Sequence, residues 1–329
     1  MRKVRLGSLE VSVVGLGCNN FGRALDQKGA RVVVDQALDA GITVFDTSDN
    51  YGDGQSESFL GAALGHRRDQ VVVATKFGMP VSGVPGSGGA TPGYIRRAVE
   101  RSLDQLATDY IDLYQLHRPD PEVPIGDTLG EINALVEEGK VREMGCSNLD
   151  ADQLTESATV ARARGLRPFL ANQIQYSLLH RAPEHDGSIE VSNRENVALL
   201  PYYPLASGML TGKALRGQPV EGRLQTERYQ GFLTDSNFGV VEALREFAVE
   251  REVTMVQVAL GWLLAQPTVP FVTAGATRAD QVSANAEGAD WIPSIADLAA
   301  LDAITRPPRS GAEDRPQGSR TPRQNRSSK

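Results

Sequence analysis

The chain has 329 residues, 40% of them hydrophobic, so it can form a substantial core and is not disordered as a whole. It carries 34 Lys and Arg against 41 Asp and Glu, and the net charge of −7 argues against a nucleic-acid partner. No apolar run approaches the roughly 18 residues that a membrane-spanning helix needs. We therefore expect a soluble, cytoplasmic protein without a membrane partner.

The end of the chain differs from the rest in composition. Residues 306–329 carry seven Lys and Arg and two Asp and Glu, a net charge of +5 that leaves −12 for the remainder. This segment has no Val, Ile, Leu, Met or aromatic residue, so it has little surface to bury. We expect residues 1–305 to form one domain and residues 306–329 to be a disordered basic tail.

Short apolar runs alternate with amphipathic stretches along the chain. After a hairpin-like start at residues 4–13, strand-like runs lie at residues 13–17, 43–46, 71–76, 111–117, 141–147, 169–173, 197–202 and 269–275. These runs are short, rich in β-branched residues and not alternating, as in strands buried on both faces. Helix-like stretches lie between them at residues 31–40, 94–106, 125–138, 150–164 and 255–264.

This alternation predicts an α/β fold with a parallel sheet. Eight strands in roughly 290 residues fit a closed (β/α)8 TIM barrel with an N-terminal β-hairpin, and a doubly wound open sheet is the alternative. Three longer stretches, residues 77–92, 177–192 and 206–236, each follow a strand and are expected to be loops. In a barrel such loops lie on the catalytic face.

Polar residues stand repeatedly where the predicted strands end. The set is Asp46, Lys76, His117, Ser147, Asn148, Gln173 and Tyr202, with Tyr51 five residues after Asp46. Each residue alone also has a structural interpretation, such as a helix cap for Asp46 or a surface charge for Lys76. Because barrel chemistry occurs at the carboxyl ends of the strands, their convergence there favours an active site.

These residues suit the reduction of a carbonyl group. A tyrosine is a weak acid with a pKa near ~10, and a neighbouring ammonium lowers that pKa. An aspartate keeps the lysine charged, and a histidine can orient a carbonyl oxygen. No GxSxG motif is present and Ser147 has no evident base, so acyl transfer is not favoured. The four histidines lack metal-ligand spacing, and Cys18 and Cys146 are expected to be buried, inert thiols.

Seven segments resemble the aldo-keto reductases, in the bacterial branch related to potassium-channel β subunits. They lie at residues 45–57, 74–78, 114–121, 139–148, 172–181, 202–213 and 274–285, within a resemblance that covers about residues 1–295. The resemblance implies an NADPH-dependent (β/α)8 barrel. It makes Tyr51 the general acid, Lys76 the residue that lowers its pKa, Asp46 the partner of Lys76 and His117 the residue that orients the carbonyl.

The same resemblance implies a set of cofactor-binding residues. Ser147, Asn148 and Gln173 would bind the nicotinamide carboxamide, and Tyr202 would stack on its ring. Leu205, Ser207 and Gly208 would lie along the pyrophosphate, and Gly275, Thr277, Arg278, Gln281 and Asn285 would hold the adenosine end. Ser48 replaces a common alanine and His180 a frequent aspartate, and neither is expected to touch the four catalytic residues.

Alternatives remain at the level of function. A nucleotide-loaded regulatory subunit could use the same barrel, and a Schiff-base isomerase or aldolase could use Lys76, although Asp46 beside it argues against this. The GLGCNNFG segment at residues 15–22 only partly matches a dinucleotide-binding motif, and GMLTGKA at 208–214 only partly matches a P-loop. No motif fixes the carbonyl substrate or the oligomeric state.

Overall fold

A computed structural model describes residues 1–220 and 222–305 of the chain. The predicted tail at residues 306–329 lies outside the described residues. The described strands are β1 (Lys3–Leu6), β2 (Leu9–Ser12), β3 (Val14–Gly17), β4 (Val44–Asp46), β5 (Val72–Phe77), β6 (Ile111–Leu116), β7 (Val141–Ser147), β8 (Ala171–Gln175), β9 (Ala198–Tyr202) and β10 (Val272–Gly275).

Strands β3 to β10 form one parallel sheet that curls into a nearly closed barrel. Its order is β10-β3-β4-β5-β6-β7-β8-β9, so the first and last strands of the set are neighbours. The two remaining edges meet where the Leu199 N–H donates to the carbonyl oxygen of Thr268, just before β10, at 2.8 Å. The predicted (β/α)8 barrel is confirmed, and the open-sheet alternative is wrong.

Helices surround this barrel on the outside. The described helices are α1 (Gln27–Asp39), α2 (Ser56–Leu64), α3 (Pro92–Leu106), α4 (Ile125–Glu137), α5 (Ala151–Arg164), α6 (Ser188–Glu195), α7 (Asp235–Glu250), α8 (Met255–Leu264), α9 (Ala279–Glu287) and α10 (Ile295–Thr305). No helix within residues 1–220 and 222–305 is both long and apolar enough to cross a membrane.

Several helices begin and end at residues that favour helix termini. Thr91 caps α3, which has Pro92 at its first position, and Asp150 forms a capping box with Gln153 at the start of α5. Gly165 ends α5 in the left-handed conformation.

A helix begins inside each of the three expected loops, although α3 begins only at the last residue of 77–92. Helix α6 begins inside residues 177–192, and α7 begins inside residues 206–236. For α7 the signal was present but overlooked, since the Thr234 side chain caps the helix by accepting a hydrogen bond from the Asn237 N–H. Short 3₁₀ turns occupy much of the segment between β9 and α7.

The hairpin of β1 and β2 packs against the interior of the barrel. Leu6, Leu9 and Val11 belong to one buried cluster with residues of the strands, among them Val44 and Leu113. The backbone N–H of Thr43 donates to Ser12 Oγ at 2.9 Å, which joins the hairpin to β4. The hairpin therefore covers the amino end of the barrel, and the carboxyl end is left open.

Candidate active site

The carboxyl ends of the strands surround a cleft of about 1680 Å³. All the candidate site residues except Lys76 line this cleft: Asp46, Tyr51, His117, Ser147, Asn148, Gln173, Tyr202, Leu205, Ser207, Gly208, Gly275, Thr277, Arg278, Gln281 and Asn285. Lys76 is fully buried behind Asp46. The structure therefore brings together every residue that the sequence placed in the site.

A buried ion pair forms the base of the cleft. Lys76 Nζ donates to both carboxylate oxygens of Asp46, at 2.9 and 2.8 Å, and to the carbonyl oxygen of Thr47 at 2.8 Å. The same nitrogen lies 3.5 Å from the hydroxyl of Tyr51. Three acceptors and the tyrosine hydroxyl thus surround the ammonium, which compensates for its removal from water.

A turn directly after Asp46 brings Tyr51 back over the lysine. Tyr51 begins a 3₁₀ turn in which Gly52 has a φ of 59°. A Cβ at Gly52 would lie 2.1 Å from the carbonyl oxygen of Phe21, so no other residue fits without backbone movement. Glycine at this position allows the close approach that sets the Tyr51 ring over the ammonium, 5.0 Å from Nζ to the ring centroid.

Burial and Lys76 change the pKa of Tyr51 in opposite directions. Burial raises the pKa of the Tyr51 hydroxyl above its ordinary value, and the Lys76 ammonium lowers it without reversing the net shift. Burial also lowers the pKa of Lys76, but Asp46 and Tyr51 more than offset this, so the net shift is upward. The lysine therefore stays charged, and the tyrosine holds its proton at neutral pH.

His117 faces Tyr51 edge-on, with ring centroids 5.8 Å apart and an interplanar angle of 77°. Burial has the largest effect on the pKa of His117 and lowers it. The charges of Lys76 and Arg118 lower it further, to about 3, so the imidazole is neutral. Its Nδ1 lies 3.1 Å from Ser48 Oγ. The expectation that Ser48 touches no catalytic residue is therefore wrong, because Ser48 forms a hydrogen bond with His117.

A hydrogen-bonded group of side chains occupies one wall next to these residues. Gln173 donates to Asp46 Oδ1 at 3.0 Å, and Ser147 Oγ donates to the carbonyl oxygen of Gln173 at 2.8 Å. Asn148 donates to Ser147 Oγ and to the carbonyl oxygen of His117, and Tyr202 donates to Asn148 Oδ1 at 2.9 Å. This wall is rigid and offers amide and hydroxyl groups to the cleft.

The far end of the cleft is built from the end of β10 and the start of α9. The backbone N–H of Thr277 donates to Gln281 Oε1 at 2.7 Å, and Asn285 Nδ2 lies 3.5 Å from the carbonyl oxygen of Gly275. Arg278 is half exposed and forms an ion pair with Asp280 at 2.8 Å. The arginine thus already has a carboxylate beside it, which the sequence interpretation did not include.

The segment after β9 presents strained backbone to the cleft. Ala206 and Ser207 have positive φ angles of 46° and 56°, and Gly208 has a φ of 112°. Ser207 Oγ is buried and has no hydrogen-bond partner among the described residues. A buried hydroxyl without a partner at this position fits a polar group of a bound molecule.

The sequence interpretation missed most of the cations that line the cleft. Within the described residues, six cationic side chains and three carboxylates line the cleft. The cations are Arg23, Arg118, Lys213, Arg223, Arg228 and Arg278, and the carboxylates are Asp46, Asp280 and Glu287. Arg223 crosses from the segment after β9 to the loop after β3, where Nη2 donates to Asn19 Oδ1 at 2.5 Å and Asn20 Oδ1 at 2.7 Å. Of these six residues, only Arg278 was assigned a binding role from the sequence.

A second buried group of charges lies behind Tyr51. Asp49 is 1% exposed and accepts a hydrogen bond from Arg101 Nη2 at 2.8 Å, while Glu57 accepts one from Thr75 at 2.6 Å. Burial, and to a lesser extent the negative charge of Glu57, raises the pKa of Asp49 to about 7. These contacts fasten the loop that carries Tyr51 to α3, and the following helix α2 to β5.

Neither thiol chemistry nor a metal centre is indicated by the described residues. Cys18 and Cys146 are buried and free, as expected, and burial raises the pKa of both thiols. No group of three or more His, Cys, Asp or Glu side chains in the described part of the chain could hold a metal ion.

Comparison with known proteins matches this architecture. Residues 13–306 match the model of the aldo/keto reductase family. A probable aldo-keto reductase 1 from Glycine max is 34% identical over 87% of the chain and 83% of that protein. A probable voltage-gated potassium channel subunit beta from Oryza sativa is 33% identical over 87% and 90%. An L-glyceraldehyde 3-phosphate reductase from Escherichia coli is 30% identical over 89% of both. The chain belongs to the aldo/keto reductase family, whose members are oxidoreductases of carbonyl compounds.

Proposed function

We propose that the protein is an NADP(H)-dependent reductase of aldehydes or ketones and that Tyr51 donates the proton. The observation that carries this proposal is the position of the Tyr51 hydroxyl, 3.5 Å from a fully buried and charged lysine and on the same cleft as a neutral histidine. This combination supplies a proton and stabilises the anion that remains after the proton has left.

Each of the four residues has a separate role in this proposal. His117 donates a hydrogen bond from its cleft-facing nitrogen to the carbonyl oxygen and so orients the substrate. Tyr51 transfers its hydroxyl proton to that oxygen as the alcohol forms, and the Lys76 ammonium stabilises the phenolate. Asp46 keeps Lys76 charged and in place through its two hydrogen bonds.

Bound NADPH would supply the hydride that makes the reduction complete. The carboxamide would be held by Ser147, Asn148 and Gln173, and the nicotinamide ring would stack on Tyr202. The pyrophosphate would lie along Leu205, Ser207 and Gly208. Gly275, Thr277, Arg278, Gln281 and Asn285 would hold the adenosine end. The unpartnered Ser207 hydroxyl and the excess of cations in the cleft support a ligand that carries several phosphates.

The test compares Tyr51→Phe and Lys76→Met with wild-type enzyme on a panel of aldehydes and ketones. We expect kcat to fall by about 10²- to 10⁴-fold in Tyr51→Phe while the Kd for NADPH stays nearly unchanged, because the hydroxyl is a proton source. Lys76→Met should give a similar loss. Tyr110→Phe, which removes a hydroxyl outside the cleft, is the matched control, and wild-type turnover by Tyr51→Phe would refute the proposed role.

A nucleotide-loaded regulatory subunit is the second candidate, favoured by the rice relative whose name is that of a channel β subunit. Such a protein would bind NADPH tightly but turn over no carbonyl of the panel. The Schiff-base alternative requires an uncharged lysine, whereas Lys76 donates to three oxygen acceptors. Borohydride trapping of a substrate on the chain would favour that alternative.

A further inference from the structure

Two arginines that line the cleft have no ion pair among the described residues. Arg118 directly follows His117, and Arg228 lies in the 3₁₀ turn Glu227–Phe232. Both are exposed and line the cleft. Within residues 1–220 and 222–305 neither guanidinium contacts a carboxylate, and Arg228 only packs over the ring of Tyr229 at 5.7 Å. We call these two residues the arginine pair.

The arginine pair lies on the side of the cleft that Tyr202 lines. Arg118 is adjacent to His117 in the chain. Burial raises the pKa of the Tyr202 hydroxyl, and the charges of Arg118 and Arg228 partly oppose this increase. Three rings in edge-to-face contact lead from Tyr202 through Tyr203 to Tyr229, beneath Arg228, with centroid distances of 5.1 and 5.8 Å. The adenosine end, at β10 and α9, has its own cation in Arg278.

Both arginines are carried on anchored segments. After Arg118, Asp120 accepts hydrogen bonds from the backbone N–H groups of Ala90 at 2.8 Å and Glu122 at 3.0 Å. Next to Arg228, Tyr229 is buried, and its hydroxyl lies 3.3 Å from that of Tyr203. The two charges are therefore held at the rim while the guanidinium groups keep their donors available.

We propose that the arginine pair selects carbonyl substrates that carry an anionic group, a carboxylate or a phosphate, near the carbonyl. This rests on the proposed reductase function and names its substrate class. A guanidinium offers paired N–H donors that match the two oxygens of such a group. Residues 1–305 carry a net charge of −12, which repels anions at long range, so two exposed cations that have no ion pair among the described residues provide local attraction in the cleft.

The experiment compares substrates that differ only in charge. One arm measures kcat/KM for 4-carboxybenzaldehyde and its neutral analogue 4-formylbenzamide with NADPH, and a second arm compares glyceraldehyde 3-phosphate with glyceraldehyde. The arms separate a carboxylate from a phosphate as the preferred group. Wild-type protein is compared with Arg118→Gln, Arg228→Gln and the double variant. Arg5→Gln, which removes an exposed charge on the hairpin, is the matched control.

We expect wild-type protein to prefer the anionic substrate of at least one pair by about tenfold or more, the effect of one charge-assisted hydrogen bond. The preference should fall toward one in the double variant and at high salt, and stay unchanged in Arg5→Gln. Equal kcat/KM values in both arms, or a preference that the double variant retains, would overturn the proposal while the reductase function stands.

If no aldehyde is reduced, the reductase function fails and the same pairs are compared by calorimetric binding to the NADPH-loaded protein. Tighter binding of the anionic member that depends on both arginines would then still support the arginine pair as an anion site. Equal binding of the two members would refute it.

Discussion

At the scale of single residues, the active site works through burial as much as through charge. Lys76 is wholly buried, yet it keeps its charge because it donates to Asp46 and Thr47. The same burial favours the neutral forms of Tyr51 and His117. The site therefore holds one fixed positive charge next to two neutral groups that can donate hydrogen bonds, which is the state that the proposed carbonyl reduction requires.

Ser48 is a residue whose effect can be measured separately. Its hydroxyl lies 2.9 Å from Asn50 Oδ1 as well as 3.1 Å from His117 Nδ1. The hydroxyl has a single proton, so it can donate either to Asn50 Oδ1 or to Nδ1; when it donates to Nδ1, the imidazole proton must be on Nε2, as the proposed role of His117 requires. We expect Ser48→Ala to lower kcat/KM by about two- to tenfold, the effect of one neutral hydrogen bond, and to leave the Kd for NADPH unchanged.

The check on this role is the nitrogen chemical shift of His117, measured by NMR in wild-type protein and Ser48→Ala. A shift of the tautomer balance together with the kinetic loss supports a positioning role. Unchanged kinetics with an unchanged Nδ1 signal would show that Ser48 only fills space.

The pH dependence follows from the same two shifts. With its pKa lowered to about 3, His117 stays neutral throughout the usual assay range, so it should add no inflection near its ordinary value of 6.5. Because the pKa of Tyr51 is raised, the rate of reduction should stay level through neutral pH and fall only in strongly alkaline solution, as the proton donor is lost. Oxidation of the alcohol should rise with pH instead. Initial-rate profiles in both directions test this, and a reductive inflection near pH 6.5 would contradict it.

At the scale of elements, the loop between β8 and α6 fastens the last described helix to the barrel. Arg181 in this loop is 8% exposed and donates to both carboxylate oxygens of Glu184 at 2.6 Å. It also contacts Asp302 at 2.7 Å and Thr305 at 2.7 Å in α10, and lies over the Trp262 ring. One side chain thus joins three separate parts of the chain.

Replacing Arg181 by Met should therefore destabilise the fold without touching the cleft. We expect the free energy of unfolding to fall by about 2 kcal/mol or more, because two partly buried carboxylates lose their partner. Arg162→Met is the control, since its pair with Glu195 is exposed on the arginine side and should contribute less than about 1 kcal/mol. Chemical denaturation measures both, and equal losses would show that the loop does not fasten α10.

The elements also show what sequence alone can and cannot provide. Asp46, Lys76 and His117 could be predicted because buried β-branched runs end at them. Ser48 and Arg223 could not, because their contacts join loops that are far apart in sequence. The lowering of the Tyr51 pKa by Lys76 could be predicted, but the larger effect of burial could not, because the depth of burial depends on the close turn at Gly52.

At the scale of the whole molecule, the charge of the cleft opposes that of the protein. The chain has a net charge of −7, whereas six cations against three carboxylates line the described part of the cleft. An acidic protein with a basic cleft repels anions over most of its surface and attracts them at one place. The distribution of charge is thus more informative about ligands than the total.

This contrast leads to a prediction about the choice between NADP(H) and NAD(H), which differ by a 2′-phosphate. Arg278 precedes α9, where the helix N-terminus also favours an anion, but it is paired with Asp280. The pair is exposed, so separating it costs little. We expect Arg278→Ala to weaken NADPH binding by about 1–2 kcal/mol, comparable to one charged hydrogen bond, and to leave NADH binding nearly unchanged.

Asp280→Asn provides the opposite change at the same place. Because Asp280 competes with the phosphate for the guanidinium and adds a like charge beside it, its neutralisation should strengthen NADPH binding and leave NADH binding unchanged. Fluorescence titration of both cofactors at two salt concentrations measures these effects, and added salt should weaken NADPH more than NADH. Equal loss of both cofactors in Arg278→Ala would assign this arginine to packing of the adenosine end, and the preference for NADP(H) would then have to come from the other cations of the cleft.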